Sequence, residues 1–310
     1  MLQKNNEAGK PDYISYHDSG AYTIDAENGS LDFILGSDID LDNATIKLIN
    51  GNYNLNLNGK VLDCSNFNGI KADIVISGDG TITGKSYYEE ANVRIMNGTF
   101  KQYISGWMSK LIIEDATVYS GEFGYALRPL GDTTFEINGG TFSVSEDGLT
   151  GYNKETCAAV AIDHTGAKIV IKGGKFSGGK YGLYATHGDA NNISLQGGIF
   201  EGTEAAINIL GFGLNDYVND KILETLLGEG YMYSTMTIVN KPQGNNYNYD
   251  SYTLEKSVEV VKKPEEPAQE ETTSEDTPKL RNPKTSDNVI NYALLFSISL
   301  LSFVLFKKIR

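Results

Sequence analysis

Across residues 135–211, apolar and polar positions recur in one short arrangement. Phe135-Glu136-Ile137-Asn138-Gly139-Gly140-Thr141-Phe142, Ile169-Val170-Ile171-Lys172-Gly173-Gly174-Lys175-Phe176 and Ile193-Ser194-Leu195-Gln196-Gly197-Gly198-Ile199-Phe200 all read apolar–x–apolar–x–Gly–Gly–x–Phe. Two alternating apolar residues make a short strand with one buried side. The glycine pair allows a tight corner at positive φ, and the Phe returns to the interior. Weaker copies stand at 93–100 with Asn97-Gly98, at 111–118 with Asp115-Ala116, and at 55–62 with Asn58-Gly59, while 74–82 fits with one extra residue. A second strand follows at a fixed offset: Gly124-Tyr125-Ala126-Leu127, Gly182-Leu183-Tyr184-Ala185 and Ala206-Ile207-Asn208-Ile209. After Phe142 its equivalent, Ala159-Val160-Ala161-Ile162, is delayed by an insertion at 145–156. Self-similarity of this kind predicts a solenoid, and short strands without a helical period predict a single-stranded parallel β-helix. A β-sandwich of hairpins is the rival, but it does not explain the shared Gly-Gly-x-Phe register.

The domain reading follows the pattern. Residues 1–21 are polar, without a cleavable leader pattern, and read as a disordered or truncated N-terminus, so an upstream portion or a different start is expected. Alternation begins at Tyr22, and 22–211 is the expected β-helix, its early part closing the open end. Segments 85–91, 103–109 and 145–156 read as loops projecting from the coils. The apolar spacing changes to helical at 215–227, within a cap spanning 212–261 that also holds strands near 231–239 and 252–261. Residues 262–281, rich in Pro, Glu and Thr, form a disordered stalk. The expected class is thus all-β, with a small helical C-terminal cap, a stalk and a C-terminal transmembrane helix.

Charge and cysteine content narrow the function. The net charge is −14, from 40 acidic against 26 basic residues, which argues against nucleic acid and makes a polyanionic polysaccharide a less natural ligand. The two cysteines, Cys64 and Cys157, lack metal-ligand spacing and do not make a disulfide framework. No metal or cofactor is expected.

The last 29 residues, 282–310, carry a three-part signal. Asn282-Pro283-Lys284-Thr285-Ser286 precedes an apolar run over 289–306, and Lys307-Lys308-Ile309-Arg310 closes the chain. Eighteen helical residues reach about 27 Å, enough for most of a bilayer's hydrocarbon core, with the basic tail on the cytoplasmic side. A plain tail anchor is the simpler reading. The order of parts resembles the cell-wall sorting signal of Gram-positive surface proteins, Leu-Pro-x-Thr-Gly followed by a span and a basic tail. Pro283 and Thr285 match, while Asn282 and Ser286 depart from the pattern and resemble the Asn-Pro variants. The resemblance implies that a sortase attacks the Thr285 carbonyl and that peptidoglycan takes over the acyl group. It also implies membrane insertion before cleavage and a final place in the cell wall.

Carrying the repeat offsets across coils puts Arg128, Asp163 and Thr186 in one column and Pro129, His164 and His187 in the next, with Asp189 two residues on. Right-handed parallel β-helices of the pectin-lyase-like kind, which this chain resembles, place catalytic groups on such a face. Asp163 and Asp189 are candidate carboxyl groups for glycoside hydrolysis, with Arg128 polarising a substrate carboxylate. No dense carboxylate cluster for calcium and no polygalacturonase motif set accompanies them. A solvated outer face explains the same residues. The chain also holds 19 tyrosines, and Tyr119, Tyr181, Tyr184 and Trp107 are candidate platforms for sugar rings. The expected role is surface display: an adhesin binding a glycan or a host protein, with a polysaccharide lyase or glycoside hydrolase as the alternative.

Overall fold

The computed structural model describes residues 2–4, 14–17, 20–164, 166–210, 222–243, 248–253 and 255–265. The linker beyond 265, the sorting motif and the apolar run 289–306 lie outside the described residues, as does most of the helix expected at 215–227. What is described of that helix is the turn Ile222–Thr225, with Ile222 and Leu223 buried. Among the described residues no helix is long and apolar enough to cross a membrane.

The chain is an all-β parallel solenoid of about eight coils, and a typical coil contributes one strand to each of three faces. In the coil that carries Phe142 the three strands are Tyr125–Leu130, Thr134–Ile137 and Thr141–Val144. Each stacks in parallel on the preceding coil, pairing Leu127 with Ile104, Phe135 with Leu111 and Phe142 with Val118. The early strands Thr45–Asn56 and Asn66–Ser77 pass without a break from the first face to the second. Their period-two burial is interrupted at the bend, as a change of face requires.

The repeated aromatic lies inside. Phe142, Phe176 and Phe200 are fully buried, and their rings stack at 5.0 Å between centroids with interplanar angles of 9° and 11°. The two glycines before each Phe have separate jobs. Gly140 takes φ 109°, and a Cβ there would lie 2.4 Å from the Ala116 carbonyl oxygen. Gly139 needs no unusual φ, but its own Cβ would meet the Glu114 carbonyl oxygen at 2.9 Å.

Three expectations need correction. Lys85–Glu89 and Ile104–Trp107, expected as loops, are strands of the first face. Ser86, Tyr88 and Gly106 take inward positions there, so the apolar alternation that marks a half-buried strand is missing from the sequence. The copy beginning at Leu55 is out of step, because Leu55 pairs with Ile76 and it is Tyr53 that pairs with Ile74. Finally, Leu127 pairs with Val160 and not with Ile162, so Arg128 and Asp163 do not share a column. The 145–156 insertion absorbs those two residues; it projects from the coil and carries the short helix Gly151–Glu155.

Both ends of the stack are covered. Leu2–Lys4 and Ile14–His17 lie antiparallel on the first strands of the second and first faces. At the other end Asn248–Thr253 pairs antiparallel with Ala205–Leu210, and Ser257–Lys262 with Ile199–Glu201. The second face ends on Leu195, whose N–H donates to the Leu226 carbonyl at 2.7 Å and whose carbonyl accepts from Gly228 N–H at 2.8 Å. Both cysteines are free and buried, and burial raises each thiol pKa to about 11.

Candidate functional site

The outer side of the first face, around the strand Tyr125–Leu130, gathers charge and aromatic rings. Arg128 points outward from this strand, and Asp163 lies one coil on, just past Ala158–Ile162. Although two positions out of register, the long guanidinium spans the gap. Arg128 Nε donates to Asp163 Oδ1 and Nη2 to Oδ2, both at 3.0 Å, as a two-pronged ion pair. The Asp163 side chain is 8% exposed and that of Arg128 27%. Burial works against the Arg128 charge, but the hydrogen bonds and charge of Asp163 prevail, so its pKa lies above the ordinary arginine value. Nη1 donates to the Tyr125 hydroxyl at 3.4 Å, and the guanidinium carbon stands 4.9 Å from that ring's centroid.

The insertion closes over this pair. Tyr152, from the helix Gly151–Glu155, donates its hydroxyl to Asp163 Oδ2 at 3.2 Å. Burial and the neighbouring Asp163 carboxylate push the Tyr152 phenol up. Lys180 holds the same insertion to the wall through Glu155 at 2.8 Å, and also meets Glu204 at 3.3 Å. Its partners outweigh its own burial and raise its pKa.

His164 is brought to the same wall on the far side. Its Nδ1 accepts the Gly131 N–H at 3.0 Å, and its ring meets Trp107 edge-on at 5.3 Å. Gly131, at φ 55°, lies so close over the indole that a Cβ would contact it at 3.4 Å. Trp107 is thereby packed on both its neighbours and only partly open to solvent. His187 and Asp189 begin the 3₁₀ turn His187–Asn192, and their side chains lie outside the described residues.

The other aromatic candidates separate. Tyr181 and Tyr184 are buried, pack with Ala158, Ala205 and Leu210, and offer no open ring face. Tyr119 is 46% exposed but stands on the third face, away from the Arg128 wall. Sequence reasoning passed over Tyr125, Phe123 and Lys85. Tyr103 meets Phe123 at 4.7 Å and Tyr125 at 5.2 Å, and Lys85 Nζ stands 4.7 Å over the Phe123 ring. The signal was the recurrence of aromatics at Tyr87, Tyr88, Tyr103, Trp107, Phe123 and Tyr125, in and just before successive strands of the first face.

This arrangement suits contact better than proton transfer. Both Asp163 oxygens are engaged by the guanidinium, and Oδ2 also accepts from Tyr152, so the carboxylate's partners are protein groups already in place. Among the described residues no group of three or more His, Cys, Asp or Glu side chains could hold a metal ion. Concave surface lies elsewhere: a groove of about 400 Å³ on the second face and a hollow of about 540 Å³ in the C-terminal cap. Comparison of the chain with protein-family models, with curated proteins and with solved structures finds no match.

Proposed function

We propose that this chain is a surface display protein whose β-helix binds a glycan or a host protein, and that its tail attaches it to the cell wall. The observation that carries the binding reading is the saturated Arg128–Asp163 pair set between Tyr125 and Tyr152. A rigid wall bearing rings, amphipathic hydroxyls and an internally neutralised ion pair offers contact surface at low ordering cost. A polysaccharide lyase or glycoside hydrolase is the less favoured reading, since Asp163 is committed to Arg128. The anchoring half rests on the tail alone. Asn282-Pro283-Lys284-Thr285-Ser286, the apolar run and the basic end stand in the order that a sortase and then peptidoglycan would use.

Two measurements test the proposal. Glycan-array and host-protein binding of the chain should give ligand binding without turnover of pectin, mannuronan or host glycans. Turnover that disappears in Asp163→Asn would make it an enzyme instead. For the anchor, Thr285→Ala should move the protein from the muramidase-released wall fraction to the membrane. An unchanged wall fraction rejects sortase attachment at this site.

A further inference from the structure

The second face carries a feature that the aromatic wall does not: a groove of mainly apolar surface, including Val75 and Ile112, along which a column of exposed side chains offers donors and acceptors. About 400 Å³ of open space lies over Asn52, Asn54, Asp73, Val75, Asn92 and Lys110, among other residues. A second hollow of about 340 Å³ shares Asn52, Asp73 and Asn92 and extends the groove around the corner towards the first face. Register explains the lining. Asn52 pairs with Asp73, Asp73 with Asn92, and Asn92 with Lys110, so one outward column crosses four successive coils. Adjacent members are about 4.8 Å apart along the axis. Val75 stands in the neighbouring column, paired with Asn54 on one side and Arg94 on the other.

The column is held in place before any ligand arrives. Asn92 Nδ2 donates to Asp73 Oδ1 at 2.7 Å, and Asn54 Nδ2 donates to Asp32 Oδ1 at 2.6 Å. Each amide keeps a second N–H and a carbonyl oxygen, and the Asp73 carboxylate keeps acceptor capacity. Arg94 is paired with Glu114 at 2.5 Å, whereas Lys110 has no ion pair among the described residues. Fixed polar groups of this kind bind without a large ordering cost.

We propose that this groove binds a linear, uncharged glycan lying along the solenoid axis, which rests on the glycan-binding reading above and adds to the aromatic wall a separate contact surface on the second face. Hydroxyl groups both donate and accept, and the column offers amides that do both beside a carboxylate that only accepts. The coil spacing is close to the length of one pyranose unit, so successive sugars meet successive coils. Val75 supplies apolar surface for a ring's C–H side. A polyanion fits poorly, because the lining sets Asp73 against Lys110 while Arg94 is already paired with Glu114, which leaves no net positive charge in the groove, and the chain carries −14 overall. A peptide fits poorly too: the wall's backbone groups are spent between coils, so no strand edge is offered inside the groove.

The test uses the full chain on an array of linear neutral oligosaccharides, including β-linked glucose, mannose and N-acetylglucosamine hexamers, with polygalacturonate and an unrelated peptide set as comparators. At least one neutral hexamer binds, and Asn92→Ala and Asp73→Ala each weaken it about tenfold with unchanged circular dichroism. Glu229→Ala, at an exposed position in the C-terminal cap, leaves that binding within about twofold. If Tyr152→Ala abolishes binding while Asn92→Ala and Asp73→Ala do not, the groove is wrong and the aromatic wall is the glycan site. If only polygalacturonate or peptide binds, the ligand class proposed here is wrong. If nothing on the array binds, the groove and the glycan reading fall together.

Discussion

At Gly140 the backbone sits at φ 109°, and the space a side chain would need is taken by the Ala116 carbonyl of the coil below. Gly148, in the projecting insertion, also has positive φ, 77°, but nothing lies within 4 Å of its missing Cβ. The pair separates dihedral strain from collision. Gly148→Ala carries strain alone and should cost about 1 kcal/mol, whereas Gly140→Ala carries both and should cost about 3 kcal/mol or more. Urea titration measures the difference; equal costs would mean that the coils do not approach so closely. The cysteines give a second expectation at this scale. Cys64 and Cys157 are buried, and burial disfavours the thiolate. Their folded pKa values exceed the unfolded ones, so the associated stability is complete below pH 9.0 and declines as pH rises towards about 11. Ellman's reagent at pH 8 should therefore label neither thiol in the folded chain and both in guanidinium. Rapid labelling of the folded chain would place a cysteine at the surface.

At the scale of one coil, the bend between the first and second faces is made by a single residue in the left-handed region. Asn50, Lys71, Glu90, Met108 and Gly131 follow one another at this bend, with φ between 49° and 55°. Only Gly131 takes that conformation without a steric penalty, and asparagine tolerates it better than the others. Met108 is also 53% exposed, so its side chain contributes little packing in return. Met108→Asn should stabilise the chain by up to about 1 kcal/mol, read as a rise in melting temperature. A loss of stability would show that the methionine side chain packs on the wall after all. The same bend explains why the strands Lys85–Glu89 and Ile104–Trp107 are hard to read from their residues. No Gly-Gly pair marks it, and the inward positions hold serine, tyrosine and glycine beside Ile104.

For the whole molecule, stability depends on what closes the stack. Each coil pairs with its neighbours alone, so an uncovered last coil offers three open strand edges to another chain. Here Asn248–Thr253, Leu226 to Gly228 and Ser257–Lys262 cover those edges. A chain ending at Leu210 should elute from size exclusion as oligomers or aggregate, and a soluble monomer would show that the cap is dispensable. The aromatic wall and the second-face groove lie on the sides of the solenoid, and none of the cap's described residues lines that groove.

The sequence alone determined the solenoid, the inward Phe142, Phe176 and Phe200, and the corners at Gly140, Gly174 and Gly198. Those features are local: alternation states which side of a strand is buried, and glycine states where the chain can turn. Arg128, Asp163 and His164 were legible as candidates on one face for the same reason. Their pairing was not, because coil-to-coil register depends on how many residues the 145–156 insertion absorbs. That number is decided by hydrogen bonds between coils, which place Val160 and not Ile162 beside Leu127. Tertiary packing likewise decided that Tyr184 is buried and Tyr152 exposed, since exposure depends on what the insertion covers. The groove on the second face was hidden for a related reason: Asn52, Asp73, Asn92 and Lys110 are 18 to 21 residues apart in sequence, and stacking alone makes them neighbours.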